Sequence, residues 1–347
     1  LETNVSGVTN VAVGYRALRV STASNNTALG AQSLMANTTG ANNVAVGKDS
    51  LVANTTGQYH TAVGYAALTS NTDSNNNTAI GYQVLHDNTT GGQNTGLGLS
   101  ALQANTTASY NTAVGYYALK ANTTASYITG VGYQALKLNT TGTANVALGA
   151  DALRQNLTGA DNVAVGNNAL ALNTASNNTA VGKNALTANT TGTRNTALGS
   201  DTLKANTTAS YNTAIGFETL IANTTGANNT AIGTWALDAN TTASNNTAVG
   251  YASLGANTTG AENTALGAYA LDANTTASFN TALGKHALSA NTTGASNTGV
   301  GLGAMDANTT GGENTGLGMQ ALTSNTTGTN NVAVGLYALG SNTTASD

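Results

Sequence analysis

The sequence predicts an all-β fold: a parallel β-solenoid (β-roll) of about twenty 17-residue coils, with a short helical turn in each coil left open as a variant. Three observations carry this reading. A glycine recurs twenty times from Gly14 to Gly335 at spacing 17, with two spacings of 16, Gly14 to Gly30 and Gly166 to Gly182. An aliphatic residue precedes every one of these glycines (Val13, Leu29, Val46, onward to Val334), and a Leu follows four residues later, replaced only by Met305. An Asn column, containing Asn105, Asn122, Asn139 and Asn156, runs through every copy except the first, where Ser21 stands instead.

Each segment of the repeat follows from its residues. N-T-A-V-G, as in Asn111–Gly115, alternates β-branched with small residues and reads as a short strand. Two apolar columns, represented by Val114 and Val131 and by Leu119 and Leu136, are expected to face inward, because one coil cannot bury its apolar face but a stack can. The residue between the strand columns is only ever Ala or Gly (Ala113, Gly96, Gly130, Gly299, Gly316), which suggests close packing on an outer face, with a neighbouring chain as the expected cause. The Asn columns at Asn122 and Asn111 (the latter broken by His60 and Ile128) are expected at corners, where stacked amides bond along the ladder and Asn tolerates left-handed backbone. Gly supplies another corner. Tyr116–Ala121 fits a second short strand or bent segment better than a helical turn, since six residues make a marginal helix. The loops absorb the two deletions, reading STAS at Ser21–Ser24 and NTAS at Asn173–Ser176. Between Asn189 and Gly294 the loops alternate TTG and TTAS, a 34-residue super-period that reflects either duplication or differing surroundings of adjacent coils.

Composition excludes several classes. Only 7% of the 347 residues are charged, 5% are aromatic and 40% hydrophobic; there are 41 Gly, no Pro and no Cys. A disulfide scaffold and thiolate metal sites are therefore excluded. Absence of Pro suits a ladder that needs every N–H. The net charge of −4 gives no basis for nucleic-acid binding, and no apolar run reaches the length of about 18 residues of a membrane span. The start at Leu1-Glu2, without Met or a secretory leader, reads as processed or cut out. Neither Leu1–Val8 nor Asn342–Asp347 resembles a cap, so the chain, read as one continuous solenoid over 1–347, is expected to be a segment of a longer fibre or to have its ends covered.

The strand unit N-V-A-V-G at Asn10–Gly14, Asn43–Gly47, Asn162–Gly166 and Asn331–Gly335 resembles the S-V-A-I-G unit in the head repeats of YadA-like trimeric autotransporter adhesins. N-T-A-[VLI]-G-Y-x-A-L-x-x-N-T-T-G arrays are also similar to shafts of phage tail-fibre-type proteins and bacterial surface fibres. The resemblance covers essentially the whole chain on a short motif, and departs from the adhesin heads in its longer period. It implies a left-handed parallel β-roll, a homotrimer, and an extracellular adhesive or spacer role at a cell or virion surface.

No catalytic constellation is legible: His60 fills an Asn slot, and His86 and His286 sit at variable positions without a Ser-His-Asp arrangement. The acids are scattered and lack the G-G-x-G-x-D calcium pattern, and no phosphate loop is present, so no metal or cofactor is expected. The Asn-x-Thr triplets read as turn and ladder residues rather than as glycosylation sites. Tyr65, Tyr82, Tyr116 and Tyr133 follow the repeat glycine, with Tyr117 beside them and Tyr59, Tyr110 and Tyr127 before the strand. This stripe reads as axial stacking or a subunit contact, and alternatively as a recognition face for a host-surface glycan or protein. Trp235 and Phe217 read as isolated structural residues. The expectation is a non-enzymatic shaft that self-associates as a homotrimer or end to end; an ice-binding Thr face or a carbohydrate-binding Tyr face is the alternative.

Overall fold

The computed structural model describes Asn4 and residues 6–346; Leu1, Glu2, Thr3, Val5 and Asp347, and with them part of the uncapped ends expected above, lie outside the described residues. The coils divide into two compact units, Leu1–Asn177 and Asn178–Asp347. The first carries β1 (Val11–Val13) to β10 (Val163–Val165), and the second β11 (Thr179–Val181) to β20 (Val332–Val334), all three residues long. Within each unit every strand pairs, parallel and without slippage, with the strand one repeat later. Thr112 lies beside Thr129, Ala113 beside Gly130 and Val114 beside Val131 in the first unit; Thr196, Ala197 and Leu198 lie beside Thr213, Ala214 and Ile215 in the second. Each unit is thus a parallel β-solenoid with one coil per repeat. The described residues contain no helix.

The inside and outside of the strand are the reverse of the sequence expectation. Ala113 is fully buried, whereas Val114 and Val131, expected in the core, are half-buried and on the outer face. A three-residue strand turns only its middle side chain inward. Opposite that side chain stands the Leu column, with Leu119 and Leu136 at 0% exposure, and the Leu fills the coil so that only a methyl or a hydrogen fits. The small middle column is therefore explained by inner packing, not by a neighbour on the outside. Sizes compensate locally. Val84, large in a column otherwise of Ala, Ser or Thr, faces Gly96, where a Cβ would lie 2.4 Å from Val84 Cγ1; Met305 faces Gly316.

Tyr116–Ala121 is neither strand nor helix but a run of turns. Ala118, Lys120 and Asn122 donate their N–H groups to the carbonyls three residues back, on Gly115, Tyr117 and Leu119. The intervening N–H groups leave the coil: Tyr117 donates to Leu99 O (3.0 Å), Leu119 to Ala135 O (2.9 Å) and Ala121 to Lys137 O (3.0 Å). Alternating local and inter-coil bonds satisfy this backbone without regular structure. The geometry places Tyr117 (φ 57°) and Leu119 (φ 52°) in the left-handed region, as it does Tyr110 before the strand (φ 62°). The Asn ladder columns, expected to occupy such corners, are not in that region. A left-handed Leu persists where the surroundings over-determine it, and here its side chain and N–H are both committed.

The repeat glycine is required by the next coil. Gly284 has φ 136°, and a Cβ on it would lie 2.5 Å from the Gly301 carbonyl oxygen; at Gly335, with no coil described above it, a Cβ would meet nothing within 4 Å. The loop super-period also has a physical content in the second unit. Ser210 Oγ accepts the Thr193 N–H (2.9 Å), Ser244 the Ala227 N–H (3.0 Å) and Ser278 the Ala261 N–H (3.0 Å), so each TTAS loop caps the TTG loop before it.

Two glycines separate the backbone cost from the stacking cost. Gly303 is left-handed (φ 61°) but a Cβ there would only touch Gln320 at 3.5 Å. Gly303→Ala is expected to destabilise the second unit by about 1 kcal/mol, and Gly284→Ala by several times more, both read from urea unfolding.

Candidate functional site

Two Asn ladders close the coil at one corner. Asn122 Nδ2 donates to Asn105 Oδ1 (3.0 Å) and to the loop carbonyl of Ala125 (3.0 Å), and Asn139 donates in turn to Asn122. Asn111 Nδ2 donates to the same Ala125 carbonyl (2.9 Å), while its backbone N–H binds Asn94 Oδ1 (3.0 Å). Asn156 donates to Asn139 (2.8 Å), but its own buried Oδ1 has no partner, one coil before the shortened loop Asn173–Ser176. Beside the ladder, Thr106 donates both its N–H (3.0 Å) and Oγ1 (3.1 Å) to the Thr123 carbonyl. These amides and hydroxyls are structural: apart from Asn156 Oδ1 and Asn280 Nδ2, which are buried without a partner, they bond within the stack.

His60 occupies its Asn slot by reproducing both Asn bonds. Its Nε2–H donates to Ser74 O (2.7 Å) and its Nδ1 accepts the Asn77 N–H (3.2 Å), as the amide of Asn43 donates to Gly57 O and accepts from the His60 N–H. Burial lowers its pKa from 6.5 to about 4, because the charged imidazolium would lose its hydration. Ile128 fills the same column without an amide and offers no acceptor to the N–H above it.

The chemistry left over faces outward. The strand face presents two uncharged columns, Thr or Val and then Val, Leu or Ile, in all twenty strands. Its apolar members are unusually open: Leu29 is 45% exposed, Leu97 43%, Leu148 47% and Leu266 45%. Aromatics rim it. Tyr65 stacks on Tyr82 (5.3 Å between centroids) and Tyr116 on Tyr133 (5.4 Å), with Leu99 standing exposed between the two pairs. On the opposite rim Tyr110 stacks on Tyr127 at 5.0 Å. The structure therefore brings Tyr65, Tyr82, Tyr116 and Tyr133 together as two pairs, and Tyr117 adjoins Tyr116 at 3.9 Å.

Several side chains were not singled out by sequence reasoning. Trp235, read as isolated, contacts Tyr251 (5.3 Å) and donates from Nε1 to Glu218 (2.9 Å); Tyr251 meets Tyr269, which stacks on His286 (5.2 Å). Lys120 and Lys137 lie over the Tyr117 ring at 4.2 and 5.6 Å. Their spacing of 17 with Arg154 was the available signal. Asp201 is held down to about 2 by Lys204 (2.9 Å) first, with help from Asn184 and Ser200. Among the described residues no three His, Asp or Glu gather to hold a metal ion, and no helix is long and apolar enough to cross a membrane. No protein-family model matches the chain, and a search of curated proteins finds no match.

Burial of neutral His60 ties stability to pH. Between about 6.5 and 4 the unfolded chain binds a proton that the folded coil refuses, so stability is full above 6.5 and falls as pH drops to about 4. The expected loss is roughly 3 kcal/mol. Urea unfolding at neutral pH and near pH 4 checks it: His60→Asn should lose less than the parent by that amount.

Proposed function

We propose that this chain is a non-enzymatic structural component of an extracellular fibre, an adhesin or tail-fibre-like shaft, whose strand face packs against copies of itself. The observation that carries the reading is the uncharged strand face, unbroken over the ten strands of each unit and open to solvent in the single chain. Soluble monomers rarely leave so long an aliphatic column uncovered. A second copy is the fitting occupant, because it carries the same columns at the same strand spacing of about 4.8 Å and can match them coil for coil. A standard interface takes about 800 Å² per partner, or about 80 Å² from each of ten coils. Two outward side chains per coil, the aliphatic one often two-fifths exposed or more (Leu29 45%, Leu97 43%, Leu148 47%) and the Thr or Val beside it mostly part-buried, are the source of that area. A homotrimer closed around this face is the proposed assembly, with end-to-end growth as the route to a filament.

Light scattering after size exclusion tests this. The parent is expected to run at three times 34.2 kDa, and Ile80→Lys with Leu97→Lys to shift it toward monomer while the far-UV spectrum stays unchanged. A parent that is monomeric at all concentrations contradicts the reading.

One observation favours a second reading. Nine consecutive strands in the second unit, from Thr179 to Thr315, begin with an outward Thr followed two residues later by an aliphatic residue, a regular hydroxyl–methyl grid suited to ordering water as ice. Thermal hysteresis and shaped ice crystals would support it; unmodified crystal growth would remove it.

A further inference from the structure

We infer that the first unit carries a binding site for an acidic polysaccharide, built on Lys120, Lys137 and the Tyr117 ring and separate from the strand face. Lys120 and Lys137 hold the same place on consecutive coils, so their stems rise side by side at about the strand spacing. Like charges stacked in register repel, yet neither lysine has a carboxylate in ion-pair range; the carboxylates nearby are engaged elsewhere, Asp87 by His86 (2.6 Å) and Asp151 by Arg154 (3.7 Å). The two ammonium groups instead share one aromatic face, at 4.2 and 5.6 Å from its centroid, which is a weak compensation at an exposed site. An anion is the missing partner.

The surroundings narrow the class of that anion. The lysines line a groove of about 400 Å³, whose other walls are Ala104, Ala121 and the exposed Leu138, with the Gln103 amide beside them. Tyr117 continues into Tyr116 and Tyr133, whose parallel rings (9° between planes) are 41% and 51% exposed. A compact inorganic anion would use the cations and leave the groove and rings idle. A chain of uronic-acid type uses all of them: carboxylates on the lysines, hydroxyls on Gln103 and Asp87, and the apolar C–H surface of the sugars on Leu138 and on the exposed edges of the tyrosines. The groove itself runs along the stack over four successive coils, from Asp87 through Gln103 and Lys120 to Lys137, as a linear polymer requires.

Affinity electrophoresis of the whole chain tests this with four probes: polygalacturonate, the neutral glucan pullulan, polyglutamate, and polygalacturonate in added salt. Polygalacturonate is expected to retard the protein, pullulan and polyglutamate to leave it unshifted, and salt to weaken the retardation. Lys120→Gln with Lys137→Gln should weaken binding at least about tenfold, and Tyr117→Leu by a smaller factor, whereas Lys183→Gln in the second unit should not. The lysine substitutions relieve a repulsion, so the fold should survive; the melting curve verifies that. No retardation, equal retardation by polyglutamate, or unchanged binding by the double-lysine variant would each overturn the proposal.

Discussion

The hydrogen bond from one coil to the next is the constraint from which the other features descend. Outside the strands, half the turn N–H groups leave their own coil, and the Asn amides and loop Thr hydroxyls do the same. Such bonds hold only if every coil has the same path, and identical paths require identical residues wherever the backbone is unusual. The repeat glycine is the clearest case: the coil above passes so close that a Cβ has no room. The left-handed Leu is the less obvious one. Its conformation is unfavourable alone, but it lets one residue seal the core and still donate to its neighbour.

The solenoid, its 17-residue coil and the identity of its ladders were legible because stacking writes itself into sequence as columns. What was not legible was direction. Alternation says that Val114 and Ala113 point opposite ways, and hydrophobicity then favours Val114 for the core; the structure prefers Ala113 because Leu119 already fills the coil. The signal lay in the pairing of sizes, Val84 with Gly96 and Met305 with Gly316, not in hydrophobicity. The turn run at Tyr116–Ala121 was equally hidden, since propensity offers no reason to place Tyr or Leu at positive φ. Of the outward groups, the Tyr column was visible by its spacing, while the meeting of Lys120, Lys137 and Tyr117 needed neighbouring coils to be superposed.

This reversal changes what the chain has to offer. With Ala inside, the β-branched and aliphatic strand residues become a surface, and the polar ladder residues, so numerous in the composition, become interior. Among the outward columns that vary from coil to coil are the post-glycine position, with its aromatics, and the column after the Leu that holds Lys120, Lys137 and Arg154. A repetitive spine thus carries local faces without altering the path of the backbone.

In-register stacking within each unit is measured most directly by solid-state NMR on protein labelled at the carbonyl carbon of Leu. Core leucines one repeat apart then stand in rows, and the dipolar coupling is expected to report carbonyl separations near 4.8 Å. Separations beyond about 6 Å throughout, incompatible with the spacing of adjacent strands, would mean that successive repeats do not lie on one another.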